Sequence, residues 1–225
     1  MSRLYLRPSQ KKQKGTGVMS MLEPLKAAYA LIDAQFEKGV KEKELQLPCK
    51  KGCSSCCYQL VMTTIPEAMV VISHVMTNYH AAGQFVPQYN ERGTRQVQQA
   101  LELMAESSQE VRATKWWNLQ HPCICLTKDG TCATYEARPP ACRAYAVISE
   151  PEKCKEKDSK VLCCDVIPFE AMAFEVSNKV ATEMRITNVL MPFPMALKWA
   201  VLAFDTSLGE LRKQWAQIYG HSSKE

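Results

Sequence analysis

The sequence has no long apolar run. Its charge-free stretch at residues 186–197 is shorter than the ~20 residues that cross a bilayer, and Pro192, Pro194 and then Lys198 interrupt it. Nor does an apolar segment follow the basic start, where Ser9, Gln10 and further lysines stand instead; a secretory leader is not expected, and a soluble, cytoplasmic protein is. No glycine-rich turn follows a strand pattern, so a separate nucleotide fold for S-adenosylmethionine is not expected either. Internal repeats and strand–helix alternation are absent, which argues against repeat arrays and barrels. Acidic residues are missing before Glu23, while Arg3, Arg7, Lys11, Lys12 and Lys14 all precede it. Those five cations equal the whole formal charge of +5, so the rest of the chain is balanced.

What the sequence has in excess is cysteine, with eleven in 225 residues. A chain of this length that is 46% hydrophobic can bury a core without covalent staples. In a reducing compartment thiols do not persist as disulfides, and the adjacent pairs Cys56–Cys57 and Cys163–Cys164 cannot bridge internally without strain. An odd count in a chain of this size is also a poor disulfide framework. Metal ligation is the reading that remains.

Residues 1–18 read as a flexible basic arm, and residues 19–220 as a single α-rich domain. Leu22, Leu25, Tyr29, Ile32 and Phe36 recur at helical spacing, with Ser20 and Glu23 placed as a capping box and Gly39 as a stop. A loop carrying Gly52 and four cysteines follows, and then a short strand at residues 60–62. Thr64 and Glu67 form a second capping box, with Pro66 tolerated in the first turn, for a helix to about Tyr79. Gly83 and Pro87 are expected to end that unit. Val97, Leu101, Met104 and Val111 mark one face of a long helix at residues 88–119. Asp129 and Gly130 predict a tight hairpin between two short extended pieces. Helices are expected again at residues 168–185 and 195–219, the latter carrying Trp199, Leu202, Leu208, Leu211 and Trp215. The fold expected is mainly α: a helical domain with a cysteine-rich metal-binding loop region at residues 48–145 and a short β-hairpin.

The first thiol group is Cys49, Cys53, Cys56 and Cys57, four soft ligands on spacers short enough to wrap one ion or cluster edge. Cys123, Cys132 and Cys142 form the second, folded back by the Asp129–Gly130 turn and by Arg138, Pro139 and Pro140. Cys125, Cys154, Cys163 and Cys164 are additional candidates. The expected cofactor is zinc or an iron–sulfur cluster, and the thiols exceed what one tetrahedral site can use. Thiolates need charge compensation, for which Arg138 and Arg143 beside Cys142 are placed.

These residues resemble the YkgJ-type cysteine-cluster family, described as zinc- or iron-chelating domains with a CxxxCxxCC signature. Cys49, Cys53, Cys56 and Cys57 match that signature without insertion, and the resemblance continues through Glu67, Cys123 and Leu126. It ends in the run Cys132, Tyr135, Glu136, Arg138, Pro139, Cys142 and Arg143. Where the family often has Pro and Phe after the cysteine matching Cys123, this chain has Ile124 and Cys125. The resemblance implies metal chelation and leaves zinc against iron open.

Two other classes fit parts of the pattern. The spacing of Cys49, Cys53 and Cys56 is that of radical enzymes using S-adenosylmethionine with a [4Fe-4S] cluster, although Cys57 has no place in that motif. Flagellin lysine N-methylases resemble relatives with this cluster, which would imply methyl transfer to protein lysine. A structural-zinc module using the basic arm on nucleic acid or ribosome is the third reading, weakened because only Tyr5 interleaves the charges. Glu67 reads as a cap or a metal ligand, His121 as a loop residue or nitrogen ligand, and Trp116 and Trp117 as packing residues.

Overall fold

The computed structural model describes residues 15–50, 52–150, 153–154, 167–186 and 188–205. The basic cations up to Lys14, Cys163, Cys164, Leu208, Leu211 and Trp215 lie outside the described residues. The architecture is mainly helical. Its centre is α3 (Ile65–Thr77), in which every residue from Ile65 to Ser73 is buried. A helix apolar on all sides has to be surrounded, and α3 is packed by α8 (Phe193–Asp205), α4 (Tyr79–Leu103), α7 (Ile167–Glu183) and α2 (Glu23–Glu42). Phe85, Leu22, Leu25, Ile65, Met69, Met184 and Leu197 are the largest fully enclosed apolar side chains of this core. Among the described residues no helix is long and apolar enough to cross a membrane.

The expected capping box on α3 is present. Thr64 Oγ1 accepts from Glu67 N and the Glu67 carboxylate accepts from Thr64 N at 3.1 Å. The cap is buried and extended: Thr64 Oγ1 lies 2.6 Å from Ser177 Oγ of α7, which in turn donates to Asn188 Oδ1. Immediately before α3, β1 (Met62–Thr63) pairs antiparallel with β2 (Met191–Pro192), with Thr63 opposite Met191. Phe193 N then donates to Val61 O at 2.9 Å, so the first residue of α8 is pinned to the entry of α3.

Several local expectations give way. A helix, α1 (Gly15–Met21), begins inside the segment expected to be an arm, so Ser20 bonds back to Gly17 O instead of capping α2. Leu22 occupies the cap position without a side-chain bond, because burying Leu22 and Leu25 fixes the entry and Pro24 suits the first turn. Gly39 lies within the last turns of α2, and the chain reverses at Glu44, whose φ is 49°. Gly83 and Pro87 lie inside α4. The break falls instead at Asn78, whose side chain accepts from Ala81 N and starts the new helix.

The long helix expected at residues 88–119 is two helices, α4 and α5 (Gln109–Asn118), with Ser108 capping the second. Leu101, Met104 and Val111 are exposed; the inward face of α4 is Arg92, Gly93, Gln96, Val97, Ala100 and Leu103. Polar side chains on an inward face misled the periodicity. Removing the Thr64 hydroxyl breaks both the helix cap and the bond to Ser177. Thr64→Ala should lower the unfolding free energy by about 1–3 kcal/mol, read from the urea midpoint at unchanged m value.

Candidate metal centre

The first cysteine segment is a sequence of tight turns. Cys53 N bonds Lys50 O at 2.9 Å across Gly52, whose φ of +96° disfavours any residue with a Cβ. A 3-10 turn at Ser55–Tyr58 follows, closed by Cys57 N on Ser54 O, and it turns Cys56 and Cys57 inward. The second segment is the expected hairpin in miniature. Leu126 bridges Cys132, Thr127 N bonds Thr131 O at 2.8 Å, and Gly130 takes a φ of +79° beside the Asp129 side chain. A further 3-10 turn at Tyr135–Ala137 leads to the short helix α6 (Pro140–Arg143), which carries Cys142.

These two segments meet. Cys123 N donates to Cys57 O at 2.6 Å, a main-chain bond between the two motifs themselves. Around that bond Cys57 and Cys142 each lie within electrostatic reach of Cys56, Cys123 and Cys132, while Cys132 feels Cys123, and Cys123 feels Cys56. Cys49 senses Cys53 and Cys56 and holds a flanking position, its Sγ accepting from Val147 N at 3.3 Å. Cys125 is buried behind Cys123, its amide donating to Cys123 Sγ at 3.4 Å. Cys154 is buried. The thiols face one another at longer range than a ligand shell: among the described residues no three Cys, His, Asp or Glu stand close enough as placed to hold one ion.

The electrostatics sort the thiols into donors and acceptors. A hydrogen bond from the Cys57 thiol holds Cys56 low, at about 7, with help from Arg138 against the cost of burial. Cys57 is pushed up for the same reason, as the donor of that bond in a desolvated place. Cys123 is lowered by its bond with Cys125, with Arg92 contributing, and Cys125 is raised. Burial raises Cys132 and Cys142. Gathering these thiols in a desolvated space opposes the ionisation of most of them.

Of the two arginines expected to balance the thiolates, Arg138 does so: its charge bears on Cys56, Cys132 and Cys142 while its guanidinium sits 3.6 Å over the Tyr135 ring. Arg143 is engaged elsewhere, on Asp33, on the carbonyls of Glu136 and Arg138, and over the Tyr29 ring. Arg92 was missed by the sequence analysis. Buried on α4, it donates to Cys123 O and Leu126 O at 3.0 Å and to Pro122 O, while Gln96 Nε2 holds Pro122 O at 2.7 Å. Nothing in the local sequence distinguishes Arg92 from a surface arginine; only Gly93 beside it, whose Cβ would come within 3.3 Å of Ile124, hints at the close approach of the loop.

His121 turns to Gln99, 2.9 Å away, and His80 is exposed. His74 lines a separate cleft of about 340 Å³ with Lys26, Tyr29, Asp33 and Glu136, whose lining includes no cysteine. No family model, curated protein or solved structure matches the chain.

Two outcomes follow from this geometry. In the reduced, metal-free protein, alkylation of Cys56 should rise with a midpoint near pH 7, and Cys57→Ala should move that midpoint upward toward an ordinary thiol; mass-mapped iodoacetamide labelling measures both. Arg92→Met leaves the carbonyls of Cys123 and Leu126 without their donor while Gln96 still holds Pro122 O, and should speed hydrogen exchange across residues 123–127 well before it affects α3.

Proposed function

We propose that the chain is a metal-binding protein that chelates zinc or an iron–sulfur cluster through the thiolates of Cys56, Cys57, Cys123, Cys132 and Cys142, with Cys49 and Cys53 at the margin. The observation that carries this reading is the convergence of the two motifs around the bond between Cys123 N and Cys57 O. Soft thiolates suit zinc and iron–sulfur centres, and a cation would offset the mutual repulsion that burial imposes on them. The motif resemblance to the YkgJ-type family points the same way. Cys49, Cys53 and Cys56 have the radical-enzyme spacing, but Cys56 is grouped here with Cys57 and Cys123, and the reading does not need S-adenosylmethionine.

Elemental analysis and an ultraviolet–visible spectrum of protein purified without oxygen test the proposal. Iron with labile sulfide and broad visible absorption assigns a cluster, colourless stoichiometric zinc assigns a zinc site, and the absence of both overturns it. Convergence predicts that Cys56→Ala and Cys132→Ala each reduce the same bound metal. If either variant kept its full stoichiometry and affinity, the two motifs would not share a centre.

A further inference from the structure

Glu67 is an unusual capping residue. The N3 carboxylate of a capping box ordinarily sits at the surface, whereas Glu67 is 5% exposed. One of its oxygens, Oε2, is fully engaged: Thr63 Oγ1 donates to it at 2.5 Å and Thr64 N at 3.1 Å. Among the described residues, the charge that bears on the carboxylate is another anion, Glu170. Burial raises the Glu67 pKa, and the bonds from Thr63 and Thr64 offset that only in part, so the anion is under-compensated.

Tyr29, on α2, has the complementary deficit. Its ring is enclosed, and its hydroxyl is buried with no hydrogen-bond partner among the described residues. Glu67 and Cys142 both lie within electrostatic reach of that hydroxyl. The packing agrees, because α6, which carries Cys142, touches both β1, which carries Thr63, and α2. An uncommitted buried hydroxyl thus stands within electrostatic reach of both a buried carboxylate and a buried thiol of the cluster.

We propose that Glu67 supplies a carboxylate oxygen to the metal on the Cys142 side of the cluster, with Tyr29 Oη donating to that carboxylate and orienting it. This rests on the metal-centre reading above and deepens it: the centre has a hard, oxygen-bearing edge as well as its thiolates. The ion would draw in the carboxylate as it would draw in the thiols, with the Tyr29 hydroxyl already within electrostatic reach of both Glu67 and Cys142. Ligating carboxylates are commonly held by an outer hydrogen bond of this kind, and loss of such a partner weakens metal binding by about 10–100-fold.

The test is titration of the reduced, metal-free full chain with Co²⁺, followed by its ligand-field absorption, and competition with Zn²⁺. Glu67→Gln keeps an amide oxygen for Thr63 and Thr64 but removes the charge; it should weaken Co²⁺ and Zn²⁺ by more than tenfold and shift the ligand-field bands. Tyr29→Phe should weaken both by about tenfold while the metal-free protein melts no lower than wild type, since the hydroxyl it removes has no partner there. Wild-type affinity and bands in Glu67→Gln overturn the inference and leave the thiol centre standing. If Glu67→Gln does not fold, unchanged affinity in Tyr29→Phe overturns it instead. If the wild-type chain binds neither ion and carries no iron, the metal-centre reading falls and this inference falls with it.

Discussion

The hydrogen bond from Cys123 N to Cys57 O is the constraint around which the cysteine region is organised. It is a main-chain bond, so it fixes the distance between two loops whatever their side chains do. It also sets a problem, because closing those loops brings thiols that are close in charge terms into a space with little water. The surroundings meet that problem in part. Arg138 and Arg92 place positive charge near Cys56, Cys132, Cys142 and Cys123, and the thiols of Cys57 and Cys125 supply hydrogen bonds to their neighbours. What is left over is the electrostatic demand that the proposed cation would satisfy.

The fold supports this region from outside. Helix α3 begins six residues after Gln59, and its start is tied to α7 through Thr64 and Ser177 and to α8 through the β1–β2 pair. Helix α4 contributes Arg92, Gly93 and Gln96 to the opposite side, where they hold the carbonyls before and after Cys123. Loops that carry chemistry are normally positioned by rigid elements beneath them. Here the rigid element is α3, buried at every position from Ile65 to Ser73.

Much of this was legible in the sequence because it rests on local rules. Thr64 and Glu67 announced the start of α3, and Asp129 with Gly130 announced the hairpin. The failures share a cause: long-range packing overrode a local signal. Gly83 and Pro87 look like breakers, yet Asn78 had already ended the preceding helix and capped the next, which carries both inside it. Leu101 and Val111 look like a core face, but α4 turns Arg92 and Gln96 inward because the carbonyls of the cysteine loop need donors there. The assignment of Arg143 to the thiols failed for a related reason, since Asp33 on a distant helix claims it. The pairing of the two cysteine motifs was expected from chemistry; that Arg92 and Tyr29 border them required the three-dimensional arrangement.

The β1–β2 pair has a further consequence for the order of events during synthesis. Met62 and Thr63 stand directly after the first thiol group, but their partners Pro192 and Met191 are among the last residues of the described fold. A chain emerging from the ribosome therefore exposes Cys56, Cys57, Cys123, Cys132 and Cys142 long before the strand that anchors their frame exists. During that interval the thiols are open to oxidation and to stray metal. The protein's maturation is thus a matter of timing: the longer the interval between synthesis of these thiols and of Met191, the longer the thiols stand outside their frame.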